Sequence, residues 1–320
     1  MFHPDNVLTN RDLEKMVDTS DEWIQSRTGI KERRKVKPGQ AASDLAVEAI
    51  VPLLKKTQTD PQDIELIIVG TVTPDMLFPS TACLIQSRIG AKNAWGFDLS
   101  AACSGFLYSL TVADQFVRNG KHKKVLVVGV DVMSSILDYT DRNTCVLFGD
   151  GCGALLLEPE PEATELGILD SIHHIDGIGA DLLYMPGGGS RNPATHETVN
   201  KKMHVVHQEG KQVFKYAVSE MARVSEEILE RNSLSPKDID LFVAHQANLR
   251  IIESCQKRLG LSDEKIVVTI DKYANTTSGT IPTCLTRAVE DGRLTKGNLV
   301  LIASFGAGFT WGATLVRWAY

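Results

Sequence analysis

The chain has 320 residues, which is enough for two domains or one large domain with a substantial buried core. Apolar residues make up 43% of the chain and charged residues 23%, a balance that excludes an intrinsically disordered protein. The net charge of -6 excludes an overall basic surface that attracts nucleic acid, so an anionic partner must bind at a local cluster of cations.

The first residues, Met1 to Asn6, lack the basic and apolar segments of a secretory signal peptide, and no apolar run is long enough to span a bilayer. We therefore expect a cytoplasmic protein that does not bind membranes. The 6 cysteines are scattered, without the close pairs typical of zinc sites. We expect neither a bound metal ion nor a disulfide framework.

Apolar strands alternate with amphipathic helices along the chain. In order, the pattern predicts a helix over residues 45–56, a turn and strand over 61–69, a helix that ends at Gly90, a strand over 94–98, a helix over 106–119, a strand over 125–130, a strand from residue 166, a helix over 214–231, a strand over 241–244, a helix that ends at Gly260, and strands over 299–304 and 313–316. This alternation is typical of α/β folds with mostly parallel sheets covered on both faces.

A diverged internal repeat organises these elements. Residues 61–69 resemble residues 236–244, which lie 175 positions later, and residues 86–90 resemble residues 256–260. Two copies of about 160 residues account for the length. We place the boundary in the acidic, Pro-containing connector at residues 158–165, which gives a first domain over residues 1–165 and a second over residues 166–320.

Cys103 is the candidate nucleophile. It lies between a predicted strand and the N-terminus of the helix over residues 106–119. A thiol in that position faces the positive end of the helix dipole, which is expected to lower its pKa and increase the thiolate fraction. The alternative is a buried structural cysteine, the commoner role of an isolated cysteine.

His245 and Asn275 are the candidate partners of Cys103. His245 follows the strand over residues 241–244, and Asn275 lies in the second copy near the counterpart of the Cys103 loop. Ligands gather at the carboxyl ends of strands in such sheets, so the three side chains predict one site. They fit either a nucleophile, a base and an orienting amide, or a nucleophile with two donors to an oxyanion. Alternatively, the His is merely hydrogen-bonded and the Asn belongs to a turn.

The Gly-rich segment over residues 306–312 lacks the dinucleotide-binding spacing and is followed by a strand rather than a helix. It predicts a tight turn whose backbone N–H groups face a ligand. His204 and His207 have the spacing of a metal site only in a helix, and no third ligand is evident.

Taken together, the sequence resembles the β-ketoacyl-acyl-carrier-protein synthase III family, the condensing enzymes that initiate type II fatty-acid synthesis. The resemblance runs along the whole chain and rests on residues 18–24, 27–30, 78–80, 101–106, 187–191, 213–215, 245–248, 275–276 and 305–312. It implies the thiolase fold, in which two duplicated α/β halves form a five-layered αβαβα body.

By this resemblance, Cys103 accepts the acyl group of a short acyl-CoA, with acetyl-CoA or a branched primer as the donor. His245 and Asn275 then hold the thioester oxygen of malonyl-acyl-carrier protein while it loses CO2. The backbone N–H groups of Cys103 and Ala307 hold the tetrahedral oxyanion, and the products are 3-oxoacyl-acyl-carrier protein, CoA and CO2. Related elongating synthases carry a second His in place of Asn275. No cofactor is implied, because the CoA thioester is a substrate.

The resemblance also implies binding residues. Those for the CoA nucleotide are Thr19, Trp23, Arg27 and Arg142. Phe78 would line the acyl pocket of the partner subunit in a homodimer. The basic patch for the acidic carrier protein consists of Lys215, Arg250, Lys257 and Arg258.

The sequence differs from the family pattern in two places. The family has a short strand before the segment equivalent to residues 2–4, so we expect either a start further upstream or a bare sheet edge. Gln208 and Lys211 stand near the pantetheine channel, where the family often has Met and Asn.

Two other functions stay open. One is a starter-unit synthase or acyltransferase of a secondary-metabolite pathway. The other is a catalytically silent partner of a condensing heterodimer, which the presence of Cys103 disfavours.

Overall fold

The computed structural model describes residues 1–160 and 165–320. Its strands are β1 Val7–Thr9, β2 Glu32–Arg34, β3 Leu66–Gly70, β4 Trp95–Leu99, β5 Val125–Val132, β6 Asp150–Leu157, β7 Gly167–Ile175, β8 Leu183–Tyr184, β9 His207–Gln208, β10 Leu241–Ala244, β11 Leu299–Gly306 and β12 Thr310–Arg317. Its helices are α1 Asn10–Leu13, α2 Asp21–Thr28, α3 Ala42–Lys56, α4 Thr81–Ile89, α5 Gly105–Arg118, α6 His196–Asn200, α7 Gly210–Arg231, α8 Leu249–Leu259, α9 Ile270–Tyr273 and α10 Thr280–Glu290. None of the described helices is both long and apolar enough to cross a membrane.

Two four-stranded sheets form the centre of the structure. The first has the order β4-β3-β5-β6, with β3 parallel to β4 and β5 and with β6 antiparallel to β5. The second has the order β10-β11-β12-β7, with β10 parallel to β11 and with β12 antiparallel to β11 and β7. The expectation of mostly parallel sheets is therefore wrong for the second sheet. Only residues 307–309 join β11 to β12, and so short a connection forms a hairpin rather than a crossover.

Helices cover both faces of each sheet. On the outer face of the first sheet, α3 and α4 pack in a core that includes Leu45, Ile67 and Ile85. Between the sheets, α5 and α10 share one core with residues of β3, β5, β10 and β11. On the outer face of the second sheet, α7 and α8 pack in a third core. These are the five layers of the predicted αβαβα fold, which is confirmed.

The internal repeat corresponds to equivalent elements in the two halves. The pair β3 and β10 and the pair of 3-10 turns, Ala102–Ser104 and Thr277–Gly279, are each separated by 175 positions. Both turns begin with a residue of positive φ, 48° at Ala102 and at Thr277, and each turn leads into a central helix. The repeat therefore brings the start of α5 next to the start of α10.

A single paired residue extends one edge of each four-stranded sheet. In the first half, Phe2 pairs antiparallel with Cys152 of β6, and in the second, Ile266 pairs in parallel with Phe242 of β10. The described part of each sheet consequently has four regular strands.

The helices predicted over residues 45–56, 106–119 and 214–231 are α3, α5 and α7, although α7 begins one turn earlier, at Gly210. Gly90 and Gly260 end α4 and α8 in the left-handed conformation, as predicted. The predicted connector includes residues 161–164, which lie outside the described residues. The division of the chain at residue 165 stays a prediction.

Candidate active site

Cys103 lies on the 3-10 turn that connects β4 to α5, and only 6% of it is exposed. The backbone before it has an unusual conformation, because Ala102 has a φ of 48°, which residues with a side chain rarely adopt. Glycine allows the opposite turn to approach, since a Cβ at Gly306 would lie 2.8 Å from the backbone N of Cys103. The turn that carries Cys103 is therefore packed directly against the end of β11.

Hydroxyl groups from the second half hold this turn in place. Ser304 Oγ donates to the carbonyl of Cys103 at 2.9 Å, and Ser278 Oγ donates to the carbonyl of Ala102 at 3.0 Å. Thr310 Oγ1 donates to the carbonyl of Ala101 at 3.1 Å. None of these three hydroxyls was predicted from the sequence, although the spacing of 175 places Ser278 at the counterpart of Cys103.

Asn275 is fixed so that its amide faces the thiol. Its backbone N–H donates to the carbonyl of Leu147 at 3.0 Å, and its carbonyl accepts from Gly149 N–H at 3.0 Å. Its side-chain Oδ1 accepts from the backbone N–H of Thr277 at 2.8 Å, and its side chain lies close enough to the Cys103 thiol to lower the pKa of that thiol. Because Oδ1 is occupied, the Nδ2 group is the part of the amide free to donate to sulfur.

His245 follows β10 and is anchored by its backbone N–H, which donates to the carbonyl of Ala303 at 2.8 Å. His245 is 2% exposed, and its Nδ1 lies 2.7 Å from Thr280 Oγ1. Nε2 has no hydrogen-bond partner within the described part of the chain. Burial lowers the pKa of His245 to about 3, so the ring is neutral at physiological pH.

One network of hydrogen bonds joins the three candidates. Thr280 Oγ1 contacts His245 and also donates to the carbonyl of Thr277 at 3.1 Å, while the N–H of Thr277 holds Asn275. Asn275 in turn contacts Cys103. The structure therefore connects Cys103 and Asn275 directly and connects His245 to them through Thr280 and Thr277.

The expectation of a lowered pKa for Cys103 is wrong. Burial and the charge of Asp131 raise the pKa of the thiol to about 12, and the opposing effects of its own backbone N–H and of Asn275 are smaller. Desolvation of the thiolate therefore outweighs the favourable position at the helix N-terminus. In the resting site, Cys103 is a thiol.

Asp131 is a further residue of the site that the sequence did not predict. This buried carboxylate accepts hydrogen bonds from Thr71, Val72 and Thr73 of the first half. It also accepts from the Thr277 hydroxyl and from Ser278 N–H of the second half. Every partner is a donor, so the network suits an ionised carboxylate even though burial raises the pKa of Asp131. Asp131 thereby ties the turn next to Asn275 to the first sheet.

Ala307 begins the tight turn between β11 and β12, as the Gly-rich segment predicted. Its carbonyl accepts from Thr310 Oγ1 at 3.1 Å. Gly306, the preceding residue, packs against the backbone N of Cys103. The backbone groups assigned to the oxyanion site, Cys103 and Ala307, therefore belong to two turns in contact.

Comparison with known proteins identifies the family. A family model described as 3-oxoacyl-acyl-carrier-protein synthase III matches residues 97–177, and one for the C terminal of that synthase matches residues 229–318. A relative from Koribacter versatilis, named beta-ketoacyl-acyl-carrier-protein synthase III, is 57% identical over 319 residues, which cover 100% of this chain and 96% of the relative. The chain belongs to the β-ketoacyl-acyl-carrier-protein synthase III family.

Solved structures agree with the family assignment. The 3-oxoacyl-acyl-carrier-protein synthase III of Aquifex aeolicus superimposes with a TM-score of 0.91 at 42% identity, over 99% of this chain and 97% of that one. The priming β-ketosynthase of the R1128 polyketide pathway has the same TM-score at 33% identity, over 99% and 94% of the two chains. Membership of this synthase family makes the chain an acyl-transferring condensing enzyme with the thiolase fold.

The residues that the synthase III resemblance assigns to CoA lie partly together. The guanidinium of Arg142 lies 5.3 Å from the ring centroid of Trp23, and its Nη1 donates to the carbonyl of Asp18 at 2.9 Å. The hydroxyl of Thr19 is buried without a hydrogen-bond partner among the described residues. Arg27 is exposed on α2, and its carbonyl accepts from Asn248.

Phe78 lies on the surface of this subunit. It is 84% exposed, and the neighbouring Leu77 is 83% exposed. This side chain does not belong to the buried surroundings of Cys103 in its own chain, and its assignment to a partner's acyl pocket stays a prediction.

The four cations assigned to the carrier protein lie on α7 and α8, and all four are exposed. They differ in their neighbours. Arg258 forms a salt bridge with Glu226 at 2.5 Å, and Arg250 lies 5.0 Å from the ring centroid of Phe214. Within residues 1–160 and 165–320, no salt bridge engages Lys215 or Lys257. The basic patch therefore has three available cations and one that is already paired.

The structure also describes the two residues near the expected pantetheine channel that differ from the family pattern. Gln208 pairs with Leu183 between β8 and β9, and Lys211 is exposed in the first turn of α7. Among the described residues, no cluster of three or more His, Cys, Asp or Glu side chains is arranged to bind a metal ion.

Proposed function

We propose that this chain condenses a short-chain acyl-CoA with malonyl-acyl-carrier protein, with loss of CO2, to give 3-oxoacyl-acyl-carrier protein. Family membership supports the reaction class. The observation that carries the residue roles is the hydrogen-bond network through Thr280 and Thr277 that links His245 to Asn275, whose side chain lowers the pKa of the Cys103 thiol.

In the first step, Cys103 Sγ attacks the thioester carbon of acyl-CoA. The new bond is an acyl thioester on Cys103, the bond to the CoA sulfur breaks, and the thiol proton leaves with CoA. The protonated resting state of Cys103 supplies that proton. The backbone N–H groups of Cys103 and Ala307 hold the tetrahedral oxyanion of this step.

In the second step, the malonyl thioester loses CO2, and the electron pair of the broken C–C bond forms an enolate. His245 Nε2 and Asn275 Nδ2 donate to the enolate oxygen. The enolate carbon attacks the acyl carbon, and collapse expels the Cys103 thiolate, which takes up a proton from solvent. Both donors are neutral groups, because His245 is deprotonated above a pKa of about 3 and an amide does not titrate.

The proposed substrates account for the surface features. The stacked Trp23 and Arg142 suit an adenine nucleotide, and the available cations on α7 and α8 suit an acidic carrier protein. The reaction needs no cofactor, since CoA arrives as a thioester. We propose the cytoplasm as its location, where both substrates are found.

We also propose a homodimer. Strand β4 is at the edge of the first sheet and is only partly buried, whereas the neighbouring β3 is fully buried. An unpaired edge strand is suited to pairing with a second copy, and exposed apolar side chains such as Leu77 and Phe78 are suited to burial in an interface. In that dimer Phe78 would enter the acyl pocket of the partner subunit.

The test is CO2 release from malonyl-acyl-carrier protein by the purified protein, with acetyl-, isobutyryl-, isovaleryl- and medium-chain CoA as primers. We expect release that depends on one class of primer. The variant Asn275→Ala should slow release by about a hundredfold while Cys103 is still acylated, because it removes a donor to the enolate. Acylated wild-type protein that releases no CO2 with any primer would overturn the proposal.

A starter-unit synthase is the second candidate, favoured by the match to the priming β-ketosynthase of a polyketide pathway. Such an enzyme would ignore malonyl-acyl-carrier protein of fatty-acid synthesis and use another acceptor. A silent partner subunit would release CO2 only after a second protein is added. The same assay separates all three functions.

A further inference from the structure

We propose that Asp75 is a positioning residue for the acyl pocket: its carboxylate holds the tip loop, residues 74–79, against the start of α3 and thereby fixes Phe78 where it limits the primer. This inference rests on the proposed function, in which Phe78 of one subunit enters the acyl pocket of the other. It concerns which primers are accepted, a property that the proposed function leaves open.

Carboxylates hold the chain on both sides of the tip loop. Before the loop, the hydroxyl and the backbone N–H of Thr73 donate to Asp131 at 2.9 Å and 3.1 Å. After the loop, the backbone N–H groups of the first two residues of α4 donate to Asp98 at 2.6 Å and 2.9 Å. Within the loop, residues 76–79 are all exposed. The apolar tip therefore projects from the subunit between two fixed ends.

Asp75 makes the only hydrogen bonds of the tip loop in the described part of the chain. Its Oδ1 accepts from the backbone N–H of Ser43 at 2.8 Å, and its Oδ2 accepts from the Ser43 hydroxyl at 2.7 Å. Ser43 is the second residue of α3 and is 3% exposed, so water does not compete for its hydroxyl. Arg88 of α4 donates to the same hydroxyl at 2.8 Å. This contact at two oxygens fixes both the position and the orientation of the loop.

The start of α3 accepts this carboxylate because it lacks a capping side chain of its own. The residue before the helix is Ala41, which has no side-chain oxygen to offer to the N–H groups of the first turn. Those N–H groups are unpaired within the helix and carry partial positive charge, so a carboxylate from elsewhere in the chain binds them favourably. Asp75 supplies it from 32 positions away. The helix start and the loop therefore stabilise each other.

A fixed loop matters because its tip carries the side chain assigned to the partner's pocket. Phe78 is three residues beyond Asp75 and is 84% exposed in its own subunit. A hydrophobic pocket distinguishes substrates that differ by one methylene by about tenfold or more, provided that its wall does not yield. A tip loop released from α3 would let Phe78 move aside for a primer that otherwise fits badly. Asp75 therefore sets primer selectivity by holding Phe78.

The test is the rate of acylation of Cys103, measured by mass spectrometry of the intact protein with acetyl-, isobutyryl-, isovaleryl- and medium-chain CoA. Selectivity is the ratio of the rates for the fastest and the slowest primer. Asp75→Ala should lower this ratio by about threefold or more, mainly because the primers that fit badly react faster. Asp75→Asn keeps an oxygen that accepts from Ser43 N–H, so its ratio should stay within about twofold of the wild type.

Asp60→Ala is the matched control. The Asp60 carboxylate also accepts from a backbone N–H, that of Gln62 at 2.9 Å, in a turn that follows the other end of α3. This variant should keep the wild-type ratio. Equal slowing with all four primers in Asp75→Ala, at an unchanged ratio, would show that Asp75 only caps α3 and would overturn the proposal.

A double variant tests whether Asp75 acts through Ser43. Ser43→Ala removes the hydroxyl that donates to Oδ2, on an element outside the tip loop, and should lower the selectivity ratio by a smaller factor than Asp75→Ala. Adding Ser43→Ala to Asp75→Ala should lower the ratio no further, since the contact is already lost. Effects that multiply independently would show that the two residues do not act together and would overturn the proposal.

Failure of the proposed function is distinguishable from failure of this inference. A ratio that changes in Phe78→Ala but not in Asp75→Ala would contradict the role of Asp75 alone. A ratio that does not change in Phe78→Ala would contradict the proposed place of Phe78, on which this inference rests. Acylation is measured without malonyl-acyl-carrier protein, so protein that is acylated selectively yet releases no CO2 would contradict the proposed condensation alone.

Discussion

Cys103 is surrounded by groups that act on its thiol in opposite directions. Burial and Asp131 raise its pKa, while its own backbone N–H and Asn275 lower it. The result is a protonated nucleophile at neutral pH, which gives up its proton as the acyl thioester is attacked. Sequence position alone indicated the helix N-terminus but not the depth of burial, which depends on contacts with the second half.

At the scale of single residues, the first prediction concerns replacement of the nucleophile Cys103. Cys103→Ala should abolish the acyl adduct that forms on incubation with acyl-CoA, as measured by mass spectrometry of the intact protein. Cys83→Ala is the matched control, because Cys83 is an exposed cysteine that the mechanism does not use. An acyl adduct that persists in Cys103→Ala would contradict the assignment.

The charge of Asp131 gives a prediction about pH. With a pKa of about 12, the Cys103 thiolate fraction rises about tenfold per pH unit between pH 7 and 10, and alkylation by iodoacetamide should rise with it. Asp131→Asn removes a negative charge that disfavours the thiolate, so alkylation of Cys103 should be several-fold faster at each pH. The rate is read at Cys103 by mass spectrometry.

Asp150→Asn is the control for this change. Asp150 is also a buried carboxylate, but its hydrogen-bond donors are Ser134 and Val36. Equal acceleration in both variants would show that loosened packing, rather than the charge of Asp131, changes the reactivity of the thiol.

At the scale of secondary-structure elements, the sequence predicted the helices correctly but did not predict how the strands pair. The apolar period and the terminal glycines gave α3, α5, α7 and the ends of α4 and α8, because these depend on neighbours in sequence. The predicted parallel direction of the strands in the second sheet was wrong, because the apolar pattern of a buried strand does not depend on whether its neighbour is parallel or antiparallel. The hydroxyls that hold the Cys103 turn were missed because their partners are about 200 residues away in the chain.

Contact between two turns gives a prediction for Gly306. An added methyl group would lie 2.8 Å from the backbone N of Cys103, so the β11 turn and the Cys103 turn must move apart. Gly306→Ala should lower the free energy of unfolding by about 1–3 kcal/mol and reduce condensation by about tenfold or more. Thermal denaturation and CO2 release measure the two effects.

Gly177→Ala is the matched control, since a Cβ at Gly177 meets nothing within 4 Å. It should leave both quantities close to wild type. Full activity in Gly306→Ala would contradict the proposed dependence of the oxyanion site on this close approach.

At the scale of the whole molecule, the site is shared between the two halves. Cys103 comes from the first half and His245 and Asn275 come from the second, and Asp131 of the first half holds the turn that follows Asn275. The repeat made this arrangement predictable, because equivalent turns in two copies meet at their common axis. The supporting network of Thr280, Thr277 and Asp131 was not predictable, since it depends on how the copies pack.

The distribution of charge over the molecule gives the final prediction. The chain carries a net charge of -6, yet Lys257 on α8 is exposed and without a salt bridge among the described residues. Lys257→Glu should raise the KM for malonyl-acyl-carrier protein several-fold at low salt, because like charges then slow the encounter. The effect should shrink as ionic strength rises, since charges are screened beyond about 10 Å at 0.1 M salt.

Lys55→Glu is the control for this prediction, because it makes the same change in net charge on α3, at the opposite outer layer. It should leave the KM for the carrier protein unchanged. Acylation of Cys103 by acyl-CoA should be unchanged in both variants, since CoA is assigned to the surface around Trp23 and Arg142. Equal effects of the two substitutions on KM would show that net charge, rather than a docking surface on α7 and α8, controls the encounter.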